Sequence, residues 1–200
     1  KYNKILSYIS LISLNKLNYT QLEKYKEKQK KNYSYDYNIG FGTYGSVFKG
    51  KSLNTDQTYA IKIISVNENN DIITSEITIL KSLQNINNTY YLIDYYKDSY
   101  YHYIVTPYIS GISLYSYLKR VKSISEKNAL IIIKQLCKNL IQLKKNNIIH
   151  NDIKLDNIII NIDTFEVTLI DYGSAKYINK KNNNVGTLVY SARSEEHTSE

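Results

Sequence analysis

Three of the seven glycines in this chain crowd into Gly40-Phe41-Gly42-Thr43-Tyr44-Gly45-Ser46-Val47. The background makes that cluster informative. The sequence holds 30 Ile, 24 Lys, 23 Asn and 22 Tyr against 2 Arg and 1 Pro, the mark of A/T-rich codons. A gene so biased keeps glycine mainly where the backbone needs it. The run fits G-x-G-x-x-G-x-V. Glycines let a backbone come close to phosphate oxygens and offer them amide hydrogens. A dinucleotide-binding fold needs a helix directly after such a turn, whereas Ser46-Val47-Phe48-Lys49 continues as strand. By itself the run fits a phosphate loop and a plain glycine turn equally well.

The rest of the composition narrows the class. Two hundred residues, 42% apolar and 22% charged, make room for one large domain or two small ones with a real core. A single cysteine, Cys137, excludes a disulfide framework and a four-thiolate zinc site. No apolar run approaches the roughly 18–20 residues that cross a bilayer. The net charge of +8 comes from scattered lysines, so base composition accounts for it better than a nucleic-acid partner, and none is expected. There is no methionine even at position 1, so the natural start is expected to lie outside this sequence. Residues 1–33 form an extension of open order: Ile5–Leu17 is apolar enough for a short helix, and Gln21–Lys31 is highly charged. No small-residue cleavage site follows the apolar run, which weighs against a signal peptide.

Strand signals dominate up to about residue 108 and helix signals after it. Residues 35–50 read as strand, glycine turn, strand; Thr58–Val66 alternates as a strand. Ile73, Ile77, Leu80 and Leu83 mark one helix face within 72–83. Tyr90–Tyr96 and His102–Tyr108 read as two more strands, and Leu114–Arg120 as a short helix. Ser125–Lys145 reads as a long helix capped by Ser125, with Leu130, Ile133, Leu136, Cys137, Leu140 and Ile141 toward a core. Ile158–Ile160 and Val167–Ile170 suggest a hairpin. The fold class is therefore α+β with two lobes: a β-rich lobe with one helix over 34–108, and a mainly helical, incomplete lobe over 109–192.

Further polar groups recur in an ordered series. Ala60-Ile61-Lys62 lies on the strand after the glycine run, and Glu76 on the following helix is the candidate partner for the Lys62 ammonium. Alone, Lys62 would read as a solvated edge lysine. His150-Asn151-Asp152-Ile153-Lys154-Leu155-Asp156-Asn157 puts a carboxylate, a lysine two residues on and an amide five residues on into one loop. Asp152 can accept or steer a hydroxyl proton, Lys154 can neutralise a transferring phosphoryl group, and Asn157 can ligate a metal. Asp171-Tyr172-Gly173 adds a second metal-binding carboxylate.

From Tyr35 to Ala192 the chain resembles the eukaryotic-type protein kinases, whose signature is a glycine loop, A-x-K, H-R-D-x-K-x-x-N, D-F-G and an A-P-E ending. The resemblance implies a bilobal kinase fold, ATP and Mg2+ as nucleotide and metal, and a protein substrate with a Ser/Thr acceptor. It implies that Gly40, Gly42 and Gly45 cover the phosphates and that Lys62 pairs with the α/β-phosphates and with Glu76. Asp152 would be the catalytic base, assisted by Lys154, with Asn157 and Asp171 as metal ligands. Ile39, Val47, Ala60 and Ile159 would sandwich adenine, Thr106 would be the gatekeeper, and the backbones of Pro107 and Ile109 would bond the adenine edge. Lys154 and Gly186-Thr187 look like the serine/threonine branch. An intracellular, cytoplasmic or nuclear, location is implied.

Departures carry information too. Asn151 stands where the family usually has an arginine that reads a phosphate on the activation segment, which implies a kinase not switched on that way. Tyr172 replaces phenylalanine but keeps a ring to pack against His150 and Leu80. Gly186-Thr187-Leu188-Val189-Tyr190-Ser191-Ala192 should run on into Pro-Glu. Instead Arg193-Ser194-Glu195-Glu196-His197-Thr198-Ser199-Glu200 follows, an octapeptide without Ile, Asn, Lys or Tyr. It resembles the in-frame translation of a sequencing-library adapter and is read as non-native. The resemblance and its departures together imply a kinase fragment, expected to be poorly soluble and inactive when made alone, because later helices of the family would cover the Ser125–Lys145 face. Two other readings compete with an active protein kinase. A nucleotide-binding pseudokinase would bind ATP without transfer, and a small-molecule phosphotransferase on the same fold would differ in substrate profile.

Overall fold

The computed structural model describes residues 32–42, 44–84, 86 and 90–178. The helix expected at 5–17, the Gly186–Ala192 run and the 193–200 octapeptide lie outside the described residues. What is described divides into two compact units, one of 32–66 with Ile93–Tyr108 and the other of Asn67–Leu92 with 109–178.

The first unit is one antiparallel sheet. Its strands are β1 (Tyr33–Gly42), β2 (Gly45–Ser52), β3 (Thr58–Ser65), β4 (Asp94–Lys97) and β5 (Tyr101–Pro107), in the order β1-β2-β3-β5-β4. The interior strands β3 and β5 are buried on both faces, which is why Ala60–Ile64 and Tyr101–Thr106 read as unbroken buried runs. One face carries Phe48, Ile61, Ile63, Tyr101, Tyr103 and Val105, with Tyr33, Tyr35, Tyr59 and Tyr96 packed against them. The tyrosines satisfy their polar ends as they pack. The Tyr96 ring stacks on Tyr103 at 4.5 Å, and the Tyr35 and Tyr96 hydroxyls meet at 2.7 Å. Burial pushes the Tyr35 phenol up to about 12, so the pair stays neutral.

The second unit begins with α1 (Asn70–Ser82), whose first turn is capped by the Asn69 side chain accepting from the Asp71 amide. Ile73, Ile77, Leu80 and Leu83 are all buried, as their spacing predicts. This helix groups with the second unit rather than with the sheet, and it packs on β10 (Lys176–Tyr177). The strand expected at 90–96 starts only at Asp94. The reason is tertiary: the Leu92 amide bonds the Leu80 carbonyl at the end of α1, and the Tyr90 ring stacks on Tyr172, so 90–92 serve the second unit.

The remaining elements are β6 (Ile112–Ser113), α2 (Leu114–Val121), α3 (Glu126–Lys145), β7 (Ile148–Ile149), a 3-10 turn at Leu155–Asn157, β8 (Ile158–Ile160) and β9 (Val167–Leu169). The expected hairpin is β8-β9, with β6 on its other side, while β10 pairs β7. Ser125 caps α3 as anticipated, its hydroxyl accepting from the Asn128 amide at 3.3 Å.

The buried face of α3 differs from the expected one. Ile132 and Leu143 are buried, whereas Leu130, Ile133, Ile141 and Cys137 are exposed among the described residues. Cys137 is therefore not a core residue. The helix is apolar on more than one side, so hydrophobic period does not choose its face. A polar side chain does: Gln135 donates to the Phe165 carbonyl at 2.8 Å and accepts from the Val167 amide at 3.1 Å, turning that side of α3 toward β9.

Two of the crowded glycines have different steric needs. A Cβ on Gly45 would collide with the backbone carbonyl of Ile63, whereas one on Gly40 meets no described atom within 4 Å. Gly45→Ala should therefore cost about 1–3 kcal/mol by overpacking, read as a fall in Tm, and Gly40→Ala should leave the Tm in place. An unchanged Tm for Gly45→Ala would contradict the β2-β3 register.

Candidate active site

Register puts four of the expected nucleotide residues on one side of the first unit's sheet. Directly opposed residues of an antiparallel pair share a face. Val47 lies opposite Lys62, which lies opposite Ile104; Lys49 lies opposite Ala60, which lies opposite Thr106. Val47, Ala60, Lys62 and Thr106 thus face one way, while Phe48 and Ile61 enter the tyrosine-rich core on the other. Gly40 lies opposite Val47, and Gly42 opposite Gly45, at the closed end of the hairpin. Ile39 is exposed on β1, and Pro107 ends β5. The Thr106 hydroxyl donates to the Ala60 carbonyl at 3.2 Å, which fixes its rotamer across the β3-β5 pair. Lys62 is 7% exposed. An ammonium buried in mid-strand is expensive in a purely structural role.

The second unit builds a tighter cluster. Asp152 follows β7 and is buried at 5% exposure. Its Oδ2 lies 2.8 Å from Lys154 Nζ and accepts from Asn157 Nδ2 at 2.8 Å. The same Nδ2 also donates to the Asp152 backbone carbonyl at 2.8 Å. Two acceptors on one amide nitrogen settle the orientation of the Asn157 side chain and turn its Oδ1 away from Asp152. The 3-10 turn makes this spacing work: the Asn157 amide donates to the Lys154 carbonyl at 3.0 Å, folding the chain so that residues two and five places after Asp152 both reach its carboxylate. A buried carboxylate with a cation and an amide donor is compensated in charge and in hydrogen bonds.

His150 links this loop to Asp171. The Asp152 amide donates to His150 Nδ1 at 3.3 Å, and His150 Nε2 lies 3.0 Å from the Ile170 carbonyl. An Nδ1 that accepts and an Nε2 that faces a carbonyl define one neutral tautomer, protonated at Nε2. Burial pushes the imidazole below its ordinary value; the Ile170 carbonyl and the Asp171 and Asp152 carboxylates pull it back up, and Lys154 adds to the lowering. The Ile170 amide bonds the Asn157 carbonyl at 2.9 Å. Asp171 adopts a left-handed backbone at φ 60° and its Oδ1 accepts from the Gly173 amide at 3.4 Å. The Tyr172 ring meets His150 edge-on at 4.8 Å, as its aromatic character predicts, and stacks on Tyr90 at 6.4 Å.

Of the other expected residues, Glu76 is buried on α1 at 3% exposure, Ile109 is half-buried just after β5, and Ile159 is half-buried on β8 opposite Thr168. All three belong to the second unit. Among the described residues no group of three or more His, Cys, Asp and Glu side chains could hold a metal ion. Asn157 and Asp171 supply two hard oxygens, and Mg2+ commonly takes only one or two protein ligands, completing its shell with water and phosphate. The donor set fits that metal. Sequence reasoning missed Tyr90, and it noted Asn151 only as a departure without its contact, in which the side-chain amide donates to the Ser174 carbonyl at 3.1 Å; a hydrogen bond to a residue 23 positions on leaves no local mark in a sequence.

Comparison with known proteins follows the same lines. A model of the protein kinase domain matches residues 33–195. Calcium-dependent protein kinase 4 of Plasmodium berghei is 32% identical over 77% of this chain and 31% of its own length. Serine/threonine-protein kinase KIC1 of Saccharomyces cerevisiae is 36% identical over 71% of this chain and 13% of its own, and serine/threonine-protein kinase atg1 of Dictyostelium discoideum 32% over 73% and 24%. The chain belongs to the eukaryotic-type protein kinase domain family, on its serine/threonine side, and spans about a third or less of the length of these relatives. No helix of the described residues is long and apolar enough to cross a membrane.

The two buried histidines set a pH dependence. His150 and His102 are both held below 6.5, largely by burial. Below that value the unfolded chain binds protons that the folded chain refuses, so stability falls as pH drops from 6.5 toward the folded values, by up to about 1.4 kcal/mol per pH unit and per group. Thermal unfolding between pH 7.5 and 5.5 should show a falling Tm, and His150→Gln should flatten the slope. A Tm that rose on acidification would contradict the neutral tautomer.

Proposed function

We propose that the protein carrying this chain transfers the γ-phosphoryl group of ATP to a serine or threonine hydroxyl of a protein. The observation that carries the reading is the buried Asp152 carboxylate with Lys154 and Asn157 both at 2.8 Å. Phosphoryl transfer asks for positioning and charge neutralisation more than for covalent chemistry, and this loop offers both.

In the reaction the acceptor oxygen bonds to the γ-phosphorus as the bond to the bridging oxygen of ADP breaks. Asp152 takes the hydroxyl proton. The Lys154 ammonium, one side chain away, offsets charge on the phosphoryl oxygens in flight. Asn157 Oδ1 and the Asp171 carboxylate would hold Mg2+, which when bound supplies cationic charge to the phosphates. Lys62 would hold the α/β-phosphates with Glu76 as its carboxylate partner, as the family resemblance implies. The backbone amides around Gly40, Gly42 and Gly45 would cover the phosphates. Val47, Ala60, Ile39 and Ile159 would sandwich adenine, with Thr106 as gatekeeper. Pro107 has no amide hydrogen, so at the adenine edge its carbonyl accepts, while Ile109 can also donate. The use of ATP implies an intracellular protein.

The test is a transfer assay on the full protein with labelled ATP and a generic protein acceptor. Asp152→Asn should lower kcat by at least about 100-fold while ATP binding persists. Lys62→Met should weaken ATP binding. Wild-type ATP binding with no transfer would favour a pseudokinase, and an unchanged rate for Asp152→Asn would remove Asp152 from the chemistry.

A further inference from the structure

The descent from Asp171 to β10 runs beside the segment from β7 to Asp152, and three kinds of contact hold the two together. Strand pairing joins Lys176 to Ile149 and Tyr177 to Ile148, and the Ile178 amide bonds the Asn147 carbonyl at 2.8 Å. At the other end His150 holds the Ile170 carbonyl. Between these the Tyr172 ring packs edge-on against His150, and a side chain ties to backbone: Asn151 Nδ2 to the carbonyl of buried Ser174, 3.1 Å. Asn151 makes it from a left-handed backbone at φ 62°, a conformation asparagine tolerates better than most residues. Asp171, three residues before Ser174, is left-handed too. A turn closed by the Ala175 amide on the Tyr172 carbonyl carries the chain from one to the other.

We infer that Asn151 is a positioning residue for Asp171: its uncharged amide ties the loop bearing Asp152 and Asn157 to the turn that follows Asp171, and so fixes where that carboxylate stands. Asn151 is adjacent to Asp152 and two residues from the strand pair, so the tie acts at the point where no backbone ladder reaches. Both partners are neutral. Neither ionic strength nor pH above the histidine range loosens the contact, and no added charge is needed to form it. An arginine at 151 would bring a fixed positive charge and five donors to the same place; the asparagine brings one short arm suited to a carbonyl.

The kinetic arm of the test rests on the kinase reading above, and the exchange arm does not. Two variants separate the backbone from the amide. Asn151→Gly keeps the left-handed conformation and removes the donor; Asn151→Asp keeps the shape and turns an acceptor toward the Ser174 carbonyl. In metal-free, nucleotide-free full protein, amide hydrogen exchange over 172–178 should quicken in both variants by roughly 3- to 10-fold, the size of one neutral hydrogen bond, with exchange in β2 and β3 unchanged. In transfer assays kcat should fall by a similar factor in Asn151→Gly and further in Asn151→Asp. The Mg2+ concentration for half-maximal rate should rise while KM for the protein acceptor stays fixed. Unchanged exchange over 172–178 would overturn the tie. Faster exchange with unchanged kcat and Mg2+ requirement would overturn the positioning role. A wild type without transfer would overturn the kinase reading and leave the exchange result to decide the tie.

Discussion

A neutral imidazole can give one hydrogen bond and take one, and His150 does both. It takes from the Asp152 amide and faces the Ile170 carbonyl. Those two contacts lie on different loops, so one ring sets the separation between the carboxylate at 152 and the carboxylate at 171. The arrangement works only while the ring is uncharged. A second proton at Nδ1 would remove the acceptor, leave the Asp152 amide facing a donor and bury a charge. Burial, which holds the imidazole below its ordinary value, thus maintains the site as well as the core. The Tyr172 ring packs edge-on against that imidazole, and Tyr90 stacks on Tyr172 in turn.

Given that hinge, the electrostatics around Asp152 follow. A carboxylate at 5% exposure cannot stand without compensation. Lys154 provides charge and Asn157 provides direction, since its amide bridges the carboxylate and the carbonyl of the same residue. The lysine is the more exposed of the ion pair, 23% against 4% for the side chains, so it retains a solvent-facing side from which to meet an anion. A fully buried pair would be a static stabiliser. A partly exposed ammonium beside a buried carboxylate keeps access to a second anion, which is what the proposed transfer asks of it.

The strands and the cluster around Asp152 were legible in the sequence for different reasons, and the packing of α3 was not legible. β3 and β5 are buried on both faces, so their alternation hides the burial, yet the period of two in Thr58–Val66 still assigns Lys62 and Ala60 to one face. Asp152, Lys154 and Asn157 were legible because their contacts lie within five residues of one another. The α3 face was not, because an A/T-rich gene puts isoleucine and leucine on every side of the helix, and the element that orients it is Gln135 bonding to Phe165 and Val167, thirty residues on. Residues 90–92 misled for the same reason: they look like strand, and a hydrogen bond to Leu80 decides otherwise. Long-range polar contacts leave no periodic trace.

Lys62 shows how burial and register together argue for chemistry. It stands in a strand whose neighbours on either side, Ile61 and Ile63, are core residues, and it lies opposite Val47 and Ile104. Every one of those positions is apolar, so packing alone would accept a leucine there at no loss, and replacing a buried ion by a well-packed hydrophobe is often neutral or stabilising. An ammonium at 62 is thus not what apolar packing at these positions selects. Ala60, two residues earlier on the same face and opposite Thr106, is small. The proposed nucleotide would account for both features on one face: a cation for phosphate oxygens and a small side chain beside a flat base.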